Sequence, residues 1–569
     1  MSLNRRQFLT FLGATAGTIA LSSQNQGHGT FVQLGSAPAQ ANGHTGLKFN
    51  PVQSPMPVPS AGIETSQQAR QYGQFAVQDD VVLPDGYVYD VIGAWGDAVG
   101  DSRFGYNNDY LSFVPSGHDR GYLTINFEYI SGATWVQTYP TGIGPSLPFA
   151  AVQTGLAGTD NAINAYALAN GDTLKAQIAA LAKAALLDQG IGVIEIQRDA
   201  AGRWVRVPGT RDRRISGISG LEDGRYLKAT GPAVAVFNST TKLGYDDGLG
   251  DRIIGTFGNC SGGTTPWGTV LSAEENFQSQ VPEPVMADGS SLDPANKTFY
   301  FDGADIGGQG NVFGLAGNKY GWMVEVDPAD ADDDGTKHTW LGRFRHEAVA
   351  VRAVAGQPLA VYSGCDRRGG HVYKFVSSAS VNDPTAKQNS QLMRNGMLYT
   401  AKFNPDGTGE WLALRADAPV NPALPSHISG GMLTLPNRIS GGYDKVESDA
   451  SIATYKRQYR TLGDLYLGNP EAQQGAILID AHYAANAIGA TPTARPEDTD
   501  VAADGTLFIA FTSGTPGGDG GPDHRVFSGP NGEDPYEFGW IMKLVETNNA
   551  CLLYTSDAAD DSKRGGGGG

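Results

Sequence analysis

Short hydrophobic runs recur along most of the chain, and each is bounded by glycine, aspartate or proline. They are rich in β-branched and aromatic residues, which is typical of β-strands. The runs that we predict as strands are residues 87–95, 121–130, 192–199, 269–277, 321–328, 359–366, 371–378, 396–404, 475–480, 505–512 and 539–546. The pattern therefore predicts an all-β protein built from many short strands.

One segment has a helical pattern instead. Between Asp160 and Asp188, alanine and leucine recur at the spacing of a helix face, and we interpret this segment as the one helical insertion in the β-structure. The strands show no fixed repeat period, which excludes a regular WD40-type array. A long chain must limit its exposed strand edges, so a β-propeller with divergent blades is the favoured fold. A pair of β-sandwiches is the alternative.

Composition and charge narrow the classes of partner. The 569-residue chain contains 77 glycines and 31 prolines, and 40% of its residues are hydrophobic, which is typical of an ordered, turn-rich protein. Because 41 lysines and arginines face 59 aspartates and glutamates, the formal net charge is −18. Such a surface repels nucleic acid and anionic lipid, so neither is an expected partner. The three cysteines are far apart and odd in number, which indicates no disulfide framework.

The two ends of the chain differ from the predicted domain at 76–550. Arg5 and Arg6, followed by an apolar run to Leu21, resemble a twin-arginine export signal, which we place at 1–39. That run is too short for stable membrane insertion, and export predicts a periplasmic or extracellular location. A Pro-rich linker follows at 40–75. Residues 551–569 look like vector-derived sequence, which predicts a truncated chain.

Cys260 lies in an unusual setting, within the stretch TFGNCSGGTTPWGTVLSAEENF that begins at residue 256. An inert cysteine is expected in an apolar run, whereas this one is surrounded by polar residues and glycines. A thiolate is a soft ligand for iron, zinc or copper. No CxxC or His-rich motif indicates zinc. A metal ligand and an inert thiol both remain open at this point.

Acidic residues stand at the ends of several predicted strands, two of them adjacent in the chain. Adjacent like charges repel each other unless cations compensate them, although solvated turn charges are the ordinary alternative. Arg368 and Arg495 lie near two of these acidic positions. Carboxylates for hard cations, together with arginines for an oxyanion, suggest phosphate chemistry. The acidic residues are Glu128, Glu274, Glu275, Glu347, Asp366, Glu497, Asp498 and Asp500.

Several motifs resemble those of the PhoX-type alkaline phosphatases, from the export signal to about Ala550. They are RRISG, NCSGGTTPWGTVLSAEENF, GRFRHE, CDRRGGHVYKF and RPED. The resemblance implies a β-propeller, six-bladed in full-length relatives, whose last blade is missing here. It also implies a monomer that is exported by the twin-arginine machinery and hydrolyses phosphate monoesters with Fe³⁺ and Ca²⁺.

The same resemblance implies roles for individual residues. Cys260 would be the iron thiolate ligand, while Glu347 and Glu497 would bridge metals. Arg495 would be the catalytic arginine that binds the phosphate, with Arg368 as a second substrate-binding residue. The remaining metal ligands that the resemblance implies are Glu128, Glu274 and Glu275.

Charge suggests how such a site would work. A phosphate monoester dianion must meet a nucleophile that is also negative, and iron and calcium would cancel that repulsion while a metal-bound oxo or hydroxide attacks. No GxSxG or P-loop motif offers another mechanism. Two other functions remain open. One is a calcium-dependent propeller lactonase, and the other is a non-enzymatic envelope propeller that binds a partner protein.

Overall fold

The computed structural model of the protein describes residues 52, 64–73, 76, 80–546 and 552–557. The export signal predicted at 1–39, most of the linker predicted at 40–75, and the rest of the tail predicted at 551–569 lie outside the described residues. The chain divides into two compact units, Met1–Ile92 and Gly93–Gly569. In the first unit, the described helix is α1 (Thr65–Tyr72).

Strands provide most of the regular structure of the second unit. In chain order they are β1 (Ala98–Val99), β2 (Ser102–Arg103), β3 (Asn108–Pro115), β4 (Arg120–Phe127), β5 (Ala162–Ile163), β6 (Gly190–Arg198), β7 (Trp204–Arg206), β8 (Arg213–Ser216), β9 (Lys228–Thr230), β10 (Asn259–Thr264), β11 (Val270–Glu274), β12 (Phe299–Phe301), β13 (Ile306–Gly307), β14 (Met323–Val326), β15 (Thr336–His338), β16 (His346–Arg352), β17 (Pro358–Cys365), β18 (Arg368–Gly370), β19 (Val372–Ser380), β20 (Gly396–Phe403), β21 (Thr408–Ala413), β22 (Leu433–Pro436), β23 (Tyr443–Val446), β24 (Thr493–Ala494), β25 (Pro496–Val501), β26 (Leu507–Phe511), β27 (Trp540–Glu546) and β28 (Leu552–Asp557).

Helices connect several of these strands. They are α2 (Gly132–Gly142), α3 (Phe149–Leu156), α4 (Thr173–Leu187), α5 (Ala233–Phe237), α6 (Asp449–Gln458), α7 (Leu462–Leu465), α8 (Pro470–Ile479) and α9 (Ala481–Ile488). Short 3-10 helices lie at Ala165–Ala167, Phe277–Ser279, Pro294–Asn296, Asn311–Phe313, Gly317–Lys319, Thr339–Leu341, Lys387–Arg394 and Pro425–His427. Within the described chain, no helix is both long enough and apolar enough to cross a membrane.

The strands form several sheets, and three of them matter for the site. The first has the order β3-β4-β6-β7, with β8 also paired to β6; the second has the order β10-β11-β14-β15-β9. The third has the order β16-β17-β19-β20-β21-β28-β27-β26-β25. Neighbouring strands in these sheets run antiparallel, apart from the parallel pair β15 and β9. β10 packs against β3, β4 and β16, and β16 packs against β25, so the three sheets meet at their first strands.

Nine of the predicted strands are confirmed by strands that overlap them, and two are wrong. Residues 87–95 form no strand, and the side chains of Val88 and Val91 are 82% and 73% exposed, so the alternation there buries no face. Residues 475–480 belong to α8. A short apolar run cannot distinguish a strand from a buried helix, and here Asn469 caps the helix start by accepting from the backbone N–H of Glu471 and Ala472.

The helical insertion predicted between Asp160 and Asp188 is confirmed in its second half by α4. This helix begins at Asp172, whose carboxylate accepts from two backbone N–H groups of the first turn. Its apolar face, including Leu181, belongs to the same buried cluster as Trp135 of α2 and Phe299 of β12. The expectation of one helical insertion is wrong, because α2, α3, α6, α8 and α9 are also helical. The fold is therefore sheet-rich with helical connections rather than all-β.

Candidate active site

Cys260 lies at the meeting point of the three sheets, near the start of β10. Its residue is only 8% exposed. The Sγ atom is 3.3 Å from Oε1 of Glu347 on β16 and 3.4 Å from Oδ2 of Asp109 on β3. The thiol therefore contacts carboxylates that come from two other sheets.

Three overlapping groups of ligand-type side chains surround this thiol. Within each group, one ligand atom per residue lies within 4.8 Å of the others, and the groups share Cys260 or Glu347. They therefore form one continuous set, which we call the acidic cluster. Its members are Asp109, Glu128, Cys260, Glu275, Glu347, Asp366 and Glu497.

The acidic cluster is built by four hairpins of the same local design, which we call the site hairpins: β3–β4, β10–β11, β16–β17 and β25–β26. In each, the pairing register shifts just after the first residue of the first strand, and the next residue belongs to the cluster. Such a β-bulge re-aims the side chain that it carries. The four bulge residues are Asp109, Cys260, Glu347 and Glu497.

The second strand of each site hairpin ends in an equivalent way. The residue just after this second strand donates its backbone N–H to a carbonyl near the start of the first strand. The acceptor is the residue two positions before the bulge residue. The pairs are Glu128 to Asn107 (3.0 Å), Glu275 to Gly258 (2.8 Å), Asp366 to Arg345 (2.8 Å) and Thr512 to Arg495 (3.2 Å). In three hairpins this second position thus contributes a carboxylate to the cluster. In the fourth, the hydroxyl of Thr512 donates to Oε1 of Glu497 at 2.7 Å.

Burial and crowding make the ionised cluster unfavourable without added positive charge. Burial, followed by the charge of Asp109, raises the pKa of Glu128 to about 7. Burial, followed by the charge of Glu275, raises the pKa of Glu347 well above its usual value. Burial and the charge of Glu347 also raise the pKa of the Cys260 thiol. Because a nearby cation would reverse each of these shifts, the site favours metal ions.

Arg495 is the positive side chain in contact with the cluster. Its Nη2 atom lies 2.5 Å from Oδ2 of Asp366 and 2.8 Å from Oε1 of Glu497. The side chain is 32% exposed, so an incoming anion can reach it. Its backbone has a φ of 54°, in the left-handed region that residues other than glycine seldom adopt. Such strain is common where a side chain is held in place for function.

The structure separates Glu274 from the cluster. Its carboxylate lies 2.6 Å from Nζ of Lys337, with both side chains fully buried, and it accepts from the backbone N–H groups of Gly321 and Trp322. Neighbouring residues of a strand face opposite sides, and it is Glu275 that faces the cluster. This placement does not support the sequence-based prediction that Glu274 is a metal ligand.

Arg368 has a different environment from the one predicted for it. Its Nη1 atom donates to the carbonyl of Thr515 and lies 3.4 Å from Oγ of Ser513. Among the described residues, none of its hydrogen bonds reaches the acidic cluster. Arg368 therefore anchors the segment that follows β26, and its predicted contact with substrate is not supported by this geometry.

Two members of the cluster are absent from the sequence-based ligand set. Asp109 is the second residue of β3, where a bulge turns it towards Cys260. Asp366 directly follows β17, which is the same strand-end position that drew attention to Glu128 and Glu275. The sequence pattern indicated Asp366 as a strand-end carboxylate without assigning it as a ligand, whereas nothing in the local sequence distinguishes Asp109.

Comparisons with known proteins agree with this site. The model of the family described as Alkaline phosphatase PhoX matches residues 70–558, a range that contains the whole acidic cluster. Among solved structures, the chain is similar to Pseudomonas fluorescens PhoX in complex with vanadate, a transition state analogue. The identity is 27% and the TM-score 0.55, over 84% of this chain and 74% of that chain. No protein of curated function matches the chain.

Proposed function

The chain belongs to the alkaline phosphatase PhoX family, and we propose that the acidic cluster is its catalytic centre. The protein is a phosphatase that acts on phosphate monoesters. One observation carries the assignment of the centre: four site hairpins aim carboxylates and one thiol at a common point, beside an arginine that an anion can reach. The vanadate complex of the Pseudomonas relative supports a site that binds a phosphate-like group.

The residues of the cluster fit metal ions. Carboxylate oxygens suit hard cations, and a thiolate suits iron. Oδ1 of Asp366 is buried and has no hydrogen-bond partner in the described part of the chain, which leaves its lone pairs free for a cation. We propose that Cys260 and Glu275 would hold Fe³⁺ and that Asp366 and Glu497 would hold Ca²⁺, with Glu347, which belongs to both groups, as a ligand available to either ion.

Each part of the site then has a chemical task. When bound, the metal ions supply positive charge that offsets the repulsion between an ester dianion and an anionic nucleophile, and they polarise the phosphoryl oxygens. Arg495 donates from its planar guanidinium to two phosphate oxygens. Asp366 and Glu497 hold this guanidinium before substrate arrives, which reduces the entropy lost on binding. Burial of Cys260 and Glu347 keeps bulk water away from the thiol.

The test is hydrolysis of p-nitrophenyl phosphate by metal-loaded protein, with elemental analysis of the same sample. We expect phosphate release, inhibition by vanadate, and bound iron and calcium. Hydrolysis of lactones without phosphate release would instead support the lactonase alternative. A colourless, iron-free protein with neither activity would support the non-enzymatic alternative.

We extend the proposal to architecture and location. Four equivalent hairpins that converge on one point favour the radial arrangement of a β-propeller. The twin arginines Arg5 and Arg6 favour export to the periplasm or beyond, and we propose that the protein acts there as a monomer. Cell fractionation of cells that express the wild type or an Arg5→Lys, Arg6→Lys variant tests the export route.

A further inference from the structure

We propose that Arg345 is a second substrate-binding arginine, which Asp519 holds until a phosphate ester displaces that carboxylate. This inference rests on the proposed phosphatase function and adds a residue to it. Arg345 lies two residues before Glu347 within the GRFRHE motif, but the resemblance assigns it no role.

The first support is positional. Arg345 and Arg495 occupy the same place in the third and fourth site hairpins, two residues before the bulge residue. The carbonyl of each accepts the backbone N–H that ends the second strand, from Asp366 at 2.8 Å and from Thr512 at 3.2 Å. Two hairpins of one design therefore each present an arginine beside the same cluster.

The second support is the pair of carboxylates that bind the Arg345 guanidinium. Nη2 lies 2.8 Å from Oε2 of Glu283, and Nη1 lies 3.0 Å from Oδ2 of Asp519. Glu283 is buried within the protein and also binds Arg367, so it fixes one side of the guanidinium. The side chain of Asp519 is 33% exposed, which makes it the partner that can be exchanged.

The third support is the segment that carries Asp519, GTPGGDGGP at 514–522. It follows Thr512, whose hydroxyl binds Glu497 in the cluster, and it brings Asp519 to the guanidinium of Arg345. Glycines lower the barrier to backbone rearrangement. A phosphate dianion offers more charge and more acceptor oxygens than one carboxylate, so it can compete with Asp519 for the guanidinium.

A double-mutant cycle tests the proposal, with p-nitrophenyl phosphate as substrate and inorganic phosphate as inhibitor. Arg345→Gln should raise KM and the inhibition constant of phosphate by about tenfold or more, as expected for loss of a charged hydrogen bond. Asp519→Asn should lower both constants. In the Arg345→Gln background, Asp519→Asn should have no further effect, because its partner is gone. Asp406→Asn, at an exposed turn, is the matched control and should change neither constant.

Structural effects are separated by measuring metal content and thermal unfolding of every variant. If Arg345→Gln folds poorly, Arg345→Lys tests the role of the guanidinium in substrate binding while keeping the positive charge beside Glu283. This variant should keep the metals and still raise KM. Equal effects of Asp519→Asn in both backgrounds, or loss of metal with unchanged KM in the remaining active enzyme, would overturn the proposal. Failure of the underlying function differs from this, because the wild type itself would then release no phosphate.

Discussion

The Sγ atom of Cys260 lies 3.3 Å from Oε1 of Glu347, although 87 positions separate the two residues in the chain. Both groups are buried, and the pKa of each is raised. When both are ionised they repel each other as like charges. A shared cation changes this balance, because it binds both groups in their anionic forms. This contact is therefore the most direct structural sign of a metal centre, and the first prediction concerns it.

Replacement of Cys260 by alanine should remove iron and lower phosphatase activity by at least about 100-fold, since loss even of an outer-shell partner costs 10–100-fold. Elemental analysis and p-nitrophenyl phosphate hydrolysis measure the two effects. Cys365→Ala is the matched control. That cysteine, the last residue of β17, is also buried but belongs to an apolar core cluster, so its loss should cost about 1 kcal/mol of stability and no iron. Iron retained in Cys260→Ala would contradict the ligand assignment.

The adjacent glutamates Glu274 and Glu275 should respond in opposite ways to the change to glutamine. Glu274→Gln leaves the buried Lys337 without its counter-ion, so unfolding should become easier by about 3–5 kcal/mol while bound metal is retained. Glu275→Gln should lower metal content with a smaller effect on the fold. Denaturant unfolding and metal analysis of both variants distinguish these outcomes. Metal loss in Glu274→Gln, at a pH where the variant is folded, would show that the two roles are reversed.

Arg495→Gln should reduce kcat/KM by about 10²–10³-fold, the usual cost of losing one donor to a developing oxyanion. The bound metals should remain. Arg495→Lys should recover only part of the activity, because an ammonium cannot donate in the planar, two-pronged way of a guanidinium. Arg415→Gln removes an exposed arginine that pairs with the exposed Asp417, and it serves as the control. Unchanged kcat/KM in Arg495→Gln would exclude a role in phosphate binding.

Removal of calcium with a chelator should abolish hydrolysis, and added calcium should restore it. The expectation follows from the carboxylate-only group of Glu347, Asp366 and Glu497, whose oxygens suit a hard cation. A titration of activity against free calcium measures the effect, with magnesium as the comparison ion. Full activity in excess chelator would be incompatible with a calcium-dependent centre.

Metal-free protein should lose stability as the pH rises from 5 to 8. Burial, followed by the charge of Asp109, raises the pKa of Glu128 to about 7 in the folded state, whereas the unfolded value is about 4.3. The folded state therefore binds more protons than the unfolded state between these values, so the free energy of unfolding falls across that window. Bound metal should reverse the trend at Glu128, because cations and protons compete for the same carboxylate.

A second buried carboxyl provides the control for this pH effect. Burial raises the pKa of Asp480 to about 7 as well, and that residue accepts a hydrogen bond from Tyr466 in the helical region. The contribution of Asp480 to the pH dependence of stability should persist with or without metal, and Asp480→Asn should remove it. Thermal unfolding at pH 5 and pH 8, with and without metal, separates the two. A metal-free protein whose stability rises over this range would contradict the expected sign.

The sequence predicted most of the strands whose formation depends on one continuous segment of the chain. Short apolar runs bounded by turn residues located the strands around the site, including β11 and β17, which are buried along nearly their whole length. The same reasoning failed at 475–480, where the run continues into a second buried helix and helical packing decides the outcome. Residues 87–95 show the reverse case, in which an alternating pattern lacks a partner strand in the described chain.

The site could be predicted only in part, because its geometry depends on contacts between separate strands. The composition around Cys260 indicated a ligand, but the choice between Glu274 and Glu275 depends on which face of β11 meets the other sheets. Asp109 was missed because its orientation follows from a register shift in β3. Bulges depend on the pairing of two strands, and no single segment of sequence encodes them.

The fourth site hairpin differs from the others at one side chain, and this difference gives the site a direction. Three hairpins close with a carboxylate, whereas the hairpin β25–β26 closes with Thr512. That hairpin has one fewer carboxylate than β3–β4 and β16–β17 and also contains Arg495, which contacts the cluster directly, so a dianion meets its smallest electrostatic barrier there. Substrate should accordingly arrive from the Thr512 side, and a carboxylate introduced at that position would obstruct its approach.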